Sequence, residues 1–304
     1  MTIANIRTQP TTLTIRRADH DVMTAIYRHQ CLTAVQVTKL LFAATSVKWV
    51  QAKLKRLHDA GYLVRSAIPV KLVDGRPPLY YGLGEKGLAH LARYGVDVPE
   101  RARPYRVRHY SDPFIAHLLA VNELLIAGQL LCRQQPALKL ARVLHQQDFE
   151  RQPVLVRRAG GQQAKVKLDG FLDFEVHTAT PYRAPFCLEL DRGTERRQKW
   201  RDKVKSLVHF LRGPYQDTFG RKAVTIGVVA TPNRERLISL IGWTREELTE
   251  LKATPEEVGA FRFATFPLDW HTPEAQRPTP ADIFLAPRWY PAFESKPVPL
   301  FHSI

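Results

Sequence analysis

The chain has 304 residues, of which 44% are hydrophobic and 24% charged, and its 45 Lys and Arg against 29 Asp and Glu give a net charge of +16. That length supports two domains with separate cores, and that composition excludes an intrinsically disordered chain. The charge is uneven, 18 Lys and Arg against 7 Asp and Glu in residues 1–110 and 27 against 22 in residues 111–304, so the N-terminal part is expected to meet a polyanion, nucleic acid ahead of an anionic membrane.

Residues 1–18 read as a tail. From Asp19 the run DHDVMTAIYRHQC predicts a first helix, capped by Asp19, with Val22, Ile26 and Tyr27 on its inner face. LTAVQVTKLLF predicts a second, capped by Thr33, with Val37, Leu40 and Leu41 inward. A third helix starts at Thr45 or Ser46 and stops at Gly61. Its inner stripe is Val47, Val50, Leu54 and Leu57, which leaves Lys48, Gln51, Lys53, Lys55 and Arg56 outward. YLVRSAIPVKLV and PPLYYGLG, joined by the turn DGRP, predict a hairpin whose Arg65, Lys71 and Arg76 can reach phosphates, and EKGLAHLARYG predicts a short fourth helix. The linker 101–111, with Arg101, Arg103, Arg106 and Arg108, is either a strip for phosphates or a soluble hinge.

In the second domain, 112–304, Asp112 caps a long amphipathic helix with Pro113 in its first turn. Extended segments follow in ALKLARVLHQQDFE, AKVKLDGFLDFEV, APFCLELD and AVTIGVVATP, with a helix from about 194 to 211 between the last two. NRERLISLIGW and TREELTELKA predict further helices and FRFATFPL a last strand, an α/β order that implies a mixed sheet. The segment 267–304, rich in Pro and carrying Trp270, Trp289, Tyr290 and Phe293, either wraps back over this domain or forms an arm for a partner. Cys31, Cys132 and Cys187, odd in number and set in apolar runs, read as buried thiols of a reducing cytosol. The start MTIANIRTQPTT lacks a signal-peptide core and no run of 18 uninterrupted apolar residues occurs, so a cytoplasmic protein without a membrane partner is expected.

No Gly-rich phosphate loop, nucleophile elbow or HExxH helix is present. What stands out is a set of carboxylates on neighbouring strands: Asp169 in KLDGFLDF, then Glu189 and Asp191, two residues apart and so on one face. Lys199 and Lys203, four apart, share a face of the next helix. Phosphodiester hydrolysis needs carboxylates to hold Mg²⁺ or Mn²⁺ and a cation to support developing charge, and this set supplies both. Glu123, in HLLAVNE, is either a helix-borne metal ligand or an ordinary solvated Glu; His117, six residues before it, lies on another side of that helix, and no histidine shows ligand spacing. Glu150 at a strand end and Glu175 on the strand of Asp169 read as surface carboxylates.

Three helices followed by a basic hairpin, with LKRLHDAGYLVR at their junction, resemble a winged helix-turn-helix domain over 19–100. The order Asp169, Glu189-x-Asp191, then Lys resembles the PD-(D/E)xK nuclease superfamily. More closely, ELDRGTE before a Lys-bearing helix, preceded by HLLAVNE, is similar to the replication-relaxation proteins of plasmids and other mobile elements, over about 19–211. The resemblance implies an α+β protein: a winged helix joined to a restriction-endonuclease-like domain with a mixed sheet. It implies double-stranded DNA as partner, with replication or mobilisation proteins and a second copy of the chain as further partners. Asp169 and Glu189 would then hold Mg²⁺ or Mn²⁺, with Glu123 as a third ligand, Asp191 as auxiliary acid and Lys203 or Lys199 as the cation. Two departures stand against catalysis: Leu168 where the superfamily prefers Pro, and Asp191 where it has its strand lysine. A non-catalytic DNA-binding regulator whose second domain makes protein contacts is the alternative.

Overall fold

The computed structural model describes residues 13–68, 78–98, 111–157, 161, 163–221, 223–231, 233–269 and 272–301. Lys71, Arg76, the turn DGRP, the linker arginines and Trp270 lie outside the described residues. The chain forms two compact units, Met1–Tyr110 and Ser111–Ile304.

The first unit contains α1 (Arg17–Arg28), β1 (Leu32–Thr33), α2 (Ala34–Leu41), α3 (Val47–Asp59), β2 (Leu63–Ala67), β3 (Leu79–Leu83) and α4 (Glu85–Arg93). Its small sheet runs β1-β3-β2, all antiparallel. Thr33 caps α2 as expected: its hydroxyl accepts from Gln36 N and the Gln36 side chain accepts from Thr33 N, so two orphan donors are satisfied at once. Val22, Ile26, Val37, Val50, Leu54 and Leu57 are fully buried, and Gly61 leaves α3 at φ +83°.

Two expectations fail here. Asp19 is not the cap of α1 but its third residue, accepting from Arg16 N at 3.0 Å. Lys53 does not face outward: it is buried, at the edge of the stripe formed by Val50, Leu54 and Leu57. The two corrections have one cause, because the Lys53 ammonium lies 2.5 Å from Asp19 Oδ1 and the pair compensates both buried charges.

The second unit contains α5 (Asp112–Gln134), β4 (Leu138–His145), α6 (Gln146–Arg151), β5 (Val154–Arg157), β6 (Gln163–Val166), β7 (Gly170–Val176), β8 (Tyr182–Asp191), α7 (Arg197–Leu211), α8 (Pro214–Phe219), β9 (Thr225–Ala230), α9 (Arg234–Glu250), α10 (Pro255–Ala260), β10 (Phe261–Thr265), α11 (Pro280–Phe284) and β11 (Tyr290–Pro291). Six strands form one sheet in the order β11-β10-β9-β8-β7-β4, and β5 pairs with β6 apart from it. β8, β9 and β10 are parallel neighbours while the other contacts are antiparallel, so the sheet is mixed and the class α+β.

Strand alternation gives the sheet two apolar faces. Phe186, Leu188 and Leu190 of β8 join the core that contains Leu124, Leu125 and Leu131 of α5. Cys187 on the opposite face joins Trp200, Val204 and Leu207 of α7 and Leu240 of α9. Helix α5 is long and apolar enough to cross a membrane, yet 72% of its apolar window is buried inside this unit, as a core helix requires. Its close seat on the sheet depends on Gly170, where a Cβ would stand 2.9 Å from Leu125 Cδ2.

Several boundaries shift. Ser111, not Asp112, precedes the first turn of α5. AKVKLDGFLDFEV breaks into β6 and β7, with Asp169 just before β7 rather than inside a strand. Glu150 falls in α6, and NRERLISLIGWTREELTE is one helix, α9. The C-terminal segment packs on its own unit: β11 pairs with β10, Trp289 is fully buried, and Phe284 and Phe301 join the α5 core. Phe293 is exposed.

Candidate functional site

Register builds the acidic pair. Gly170 of β7 faces Leu188 of β8 in the end pair of an antiparallel ladder, and Asp169 N, just before β7, donates to the same Leu188 O at 3.1 Å. Asp169 is thereby held against the end of β8, close enough to Glu189 for its charge to act there. Both side chains are nearly buried. Asp169 Oδ2 accepts from Leu190 N at 2.8 Å and Oδ1 lies 3.1 Å from His117 Nε2, which must donate because a carboxylate only accepts. Lys203 Nζ reaches Glu189 Oε2 at 2.6 Å, an ion pair by distance, yet neither Glu189 oxygen has a hydrogen-bond partner among the described residues.

Two carboxylates in one buried place cannot ionise independently. For Asp169 burial acts upward, but His117, Lys203 and the Leu190 amide outweigh it and hold the group below the ordinary carboxylate value. Glu189 goes the other way: burial, joined by the Asp169 charge, pushes it to about 8 against the pull of Lys203. For Lys203 burial acts downward, but Glu189, Asp169 and Glu195 outweigh it and keep the ammonium above its usual range. For His117 too, burial acts downward and Asp169 overcomes it, so the imidazole is raised.

ELDRGTE forms the turn that places α7. Asp191 Oδ2 accepts from Gly193 N at 2.8 Å, Gly193 sits at φ +78°, and Arg236 of α9 grips both Asp191 oxygens at 2.6 and 3.1 Å. The expected auxiliary acid is thus the anchor of the turn, its oxygens committed to Arg236 and backbone amides. Arg192 reaches Asp269 at 2.9 Å. Glu195 lies 3.1 Å from Lys199 and 3.8 Å from Lys203, so it links the two lysines. Of these, Lys203 meets Glu189, whereas the Lys199 side chain is largely exposed.

The expected third acid is elsewhere. Glu123 takes Arg277 at 2.8 Å, and six residues of helix turn it well away from the face of His117. His117, without ligand spacing in the sequence, is the residue that meets Asp169; one histidine beside an Asp 52 residues away carries no spacing signal. Among the described residues no three His, Cys, Asp or Glu side chains form a ready-made metal cluster. Mg²⁺ commonly takes only one or two carboxylates and keeps its waters, so Asp169 and Glu189 fit it by donor type, and Glu189 Oε1 is a buried acceptor with no hydrogen-bond partner among the described residues.

In the first unit the exposed face of α3 carries Lys48, Gln51, Lys55 and Arg56. Lys55 pairs with Asp59 one turn on, and Arg56 reaches back to Asp19 at 2.9 Å while staying partly exposed. Arg65 on β2 is half-buried across from Tyr81. The indole of Trp49 is also exposed, with the Lys53 ammonium 4.7 Å from its ring centre.

A family model described as replication-relaxation matches residues 23–224, a span that includes α2 and α3, the acidic pair and all of α7. No curated protein and no solved structure matches the chain.

Proposed function

The chain belongs to the replication-relaxation family, and on that premise we propose that it is a DNA-binding protein that cuts or nicks DNA in the replication or mobilisation of a plasmid or other mobile element. In this reading the first unit is a winged helix-turn-helix and the second a restriction-endonuclease-like domain. The observation that carries the catalytic part is the buried Asp169–Glu189 pair with Lys203 at 2.6 Å. Asp169 and Glu189 would hold Mg²⁺ or Mn²⁺, which supplies a polarised phosphate and an activated water when bound. Lys203 would be the cation that supports charge on the phosphate, with the exposed Lys199 linked to it through Glu195. Asp169 and Glu189 are buried, and the low dielectric there strengthens each of these interactions. The exposed cations of α3 would enter the major groove and Arg65 of β2 would lie along a phosphate.

The same ion pair favours a second reading, since Lys203 already neutralises Glu189 without a metal: a regulator that binds DNA and cuts nothing. One experiment separates the two. Purified full-length protein is given supercoiled and linear DNA with Mg²⁺ or Mn²⁺, beside Asp169→Asn and Glu189→Gln. Metal-dependent cleavage by the wild type alone, with DNA binding retained in all three, supports catalysis; binding without cleavage in every substrate and metal leaves the regulator.

A further inference from the structure

The proposed metal site has a partner on the far side of the sheet that its carboxylates do not explain. His117 comes from α5, whose core residues pack on the sheet face opposite α7, yet its ring crosses to the start of β7 and meets Asp169 Oδ1 at 3.1 Å. The Leu190 amide holds the other oxygen at 2.8 Å, so the Asp169 carboxylate is fixed at both ends, while Glu189 beside it is met by Lys203 at Oε2 alone. A carboxylate with one hydrogen bond on each oxygen keeps a lone pair on each for a cation and cannot rotate away from it. Outer partners of this kind orient metal ligands.

We propose that His117 is a positioning residue for a divalent cation: by donating Nε2–H to Asp169 it presets the carboxylate plane toward Glu189, so that the metal is bound by an arrangement already formed. The proposal rests on the metal-site reading above. It assigns His117 no contact with DNA and no proton transfer. It also gives α5 a task beyond packing: the close approach allowed by Gly170, next to Asp169, brings the helix near enough for His117 to reach.

The test titrates Mn²⁺ alone into full-length protein by calorimetry, with folding checked by thermal melting. His117→Ala should weaken Mn²⁺ binding about 10- to 100-fold. His117→Gln, whose amide nitrogen can take the place of Nε2, should recover most of the loss. If His117→Ala does not fold, His117→Asn, too short to span to Asp169, carries the same expectation. Wild-type affinity in His117→Ala, with Asp169→Asn no longer binding, overturns the positioning role and leaves the metal site standing. A loss that Gln does not recover also overturns it, since it points to packing. Absence of Mn²⁺ binding by the wild type removes the metal site and the inference together.

Discussion

Asp19 and Glu189 are both buried acids facing a lysine, and they titrate in opposite directions for a physical reason. Asp19 has two cations, Lys53 and Arg56, and the Arg16 amide, which together overcome burial and hold it below the ordinary carboxylate value. Its stabilisation is therefore present above that ordinary value and is lost as pH falls through the depressed one. Asp19→Asn, which leaves Lys53 buried without its partner, should cost about 3 to 5 kcal/mol near neutral pH. Denaturant unfolding followed to low pH should show that difference shrinking as Asp19 in the wild type protonates. Glu189 has one cation and an anionic neighbour, so burial prevails and lifts it to about 8. A raised acid stabilises the fold below its ordinary value and loses that contribution as pH rises through the folded value. Melting curves across this range should show the wild type losing stability toward alkaline pH relative to Glu189→Gln; parallel pH profiles would refute the assignment.

At the level of elements, α3 separates two kinds of lysine that the sequence presents alike. Lys48 and Lys55 are exposed, while Lys53 is buried against Asp19. If α3 meets duplex DNA, Lys48→Ala and Lys55→Ala should each lower the slope of log affinity against log salt by about one, if each touches a phosphate, at unchanged stability. Lys53→Ala should act through folding instead, leaving Asp19 with Arg56 as its remaining cation. Electrophoretic binding series at several salt concentrations, paired with melts, distinguish the two. The β8–α7 connection works similarly as an element: Asp191 spends its charge on Arg236 and the turn amides, and this orients the helix so that Lys203 rather than Lys199 faces Glu189.

Across the second unit, the partners of three charged residues of the family segment come from far along the chain. Arg236 holds Asp191, Asp269 holds Arg192 and Arg277 holds Glu123, all from beyond the segment 23–224 that matches the family. The C-terminal segment completes the face of the sheet on which α5 packs, with Trp289 against Phe186 and Phe266 and its indole N–H donating to Ile283 O at 2.6 Å. Trp289→Ala should therefore cost about 3 to 5 kcal/mol in the unfolding of this unit, a core penalty and not a surface one. A change near zero in denaturant unfolding would show that the segment does not bear on the core.

The sequence by itself determined the helix–hairpin order of the first unit, the mixed sheet of the second and the likeness to the replication-relaxation proteins, because hydrophobic period, caps and ELDRGTE are local signals. It also put Asp169 and Glu189 on two apolar segments with a short connection, and it ranked Lys203 above Lys199. Tertiary structure alone decided which charges are spent. Lys53 at the stripe edge turned inward because Asp19 lies on another helix, Asp191 became a turn anchor because Arg236 arrives from 45 residues away, and Glu123 went to Arg277 across 154 residues. His117 gained its place beside Asp169 only through the close seat of α5 on the sheet. The physical reason is common to all four: the free energy of a buried charge depends on the partner that comes within a few ångströms, and that partner is fixed by packing between distant segments, which no local pattern encodes.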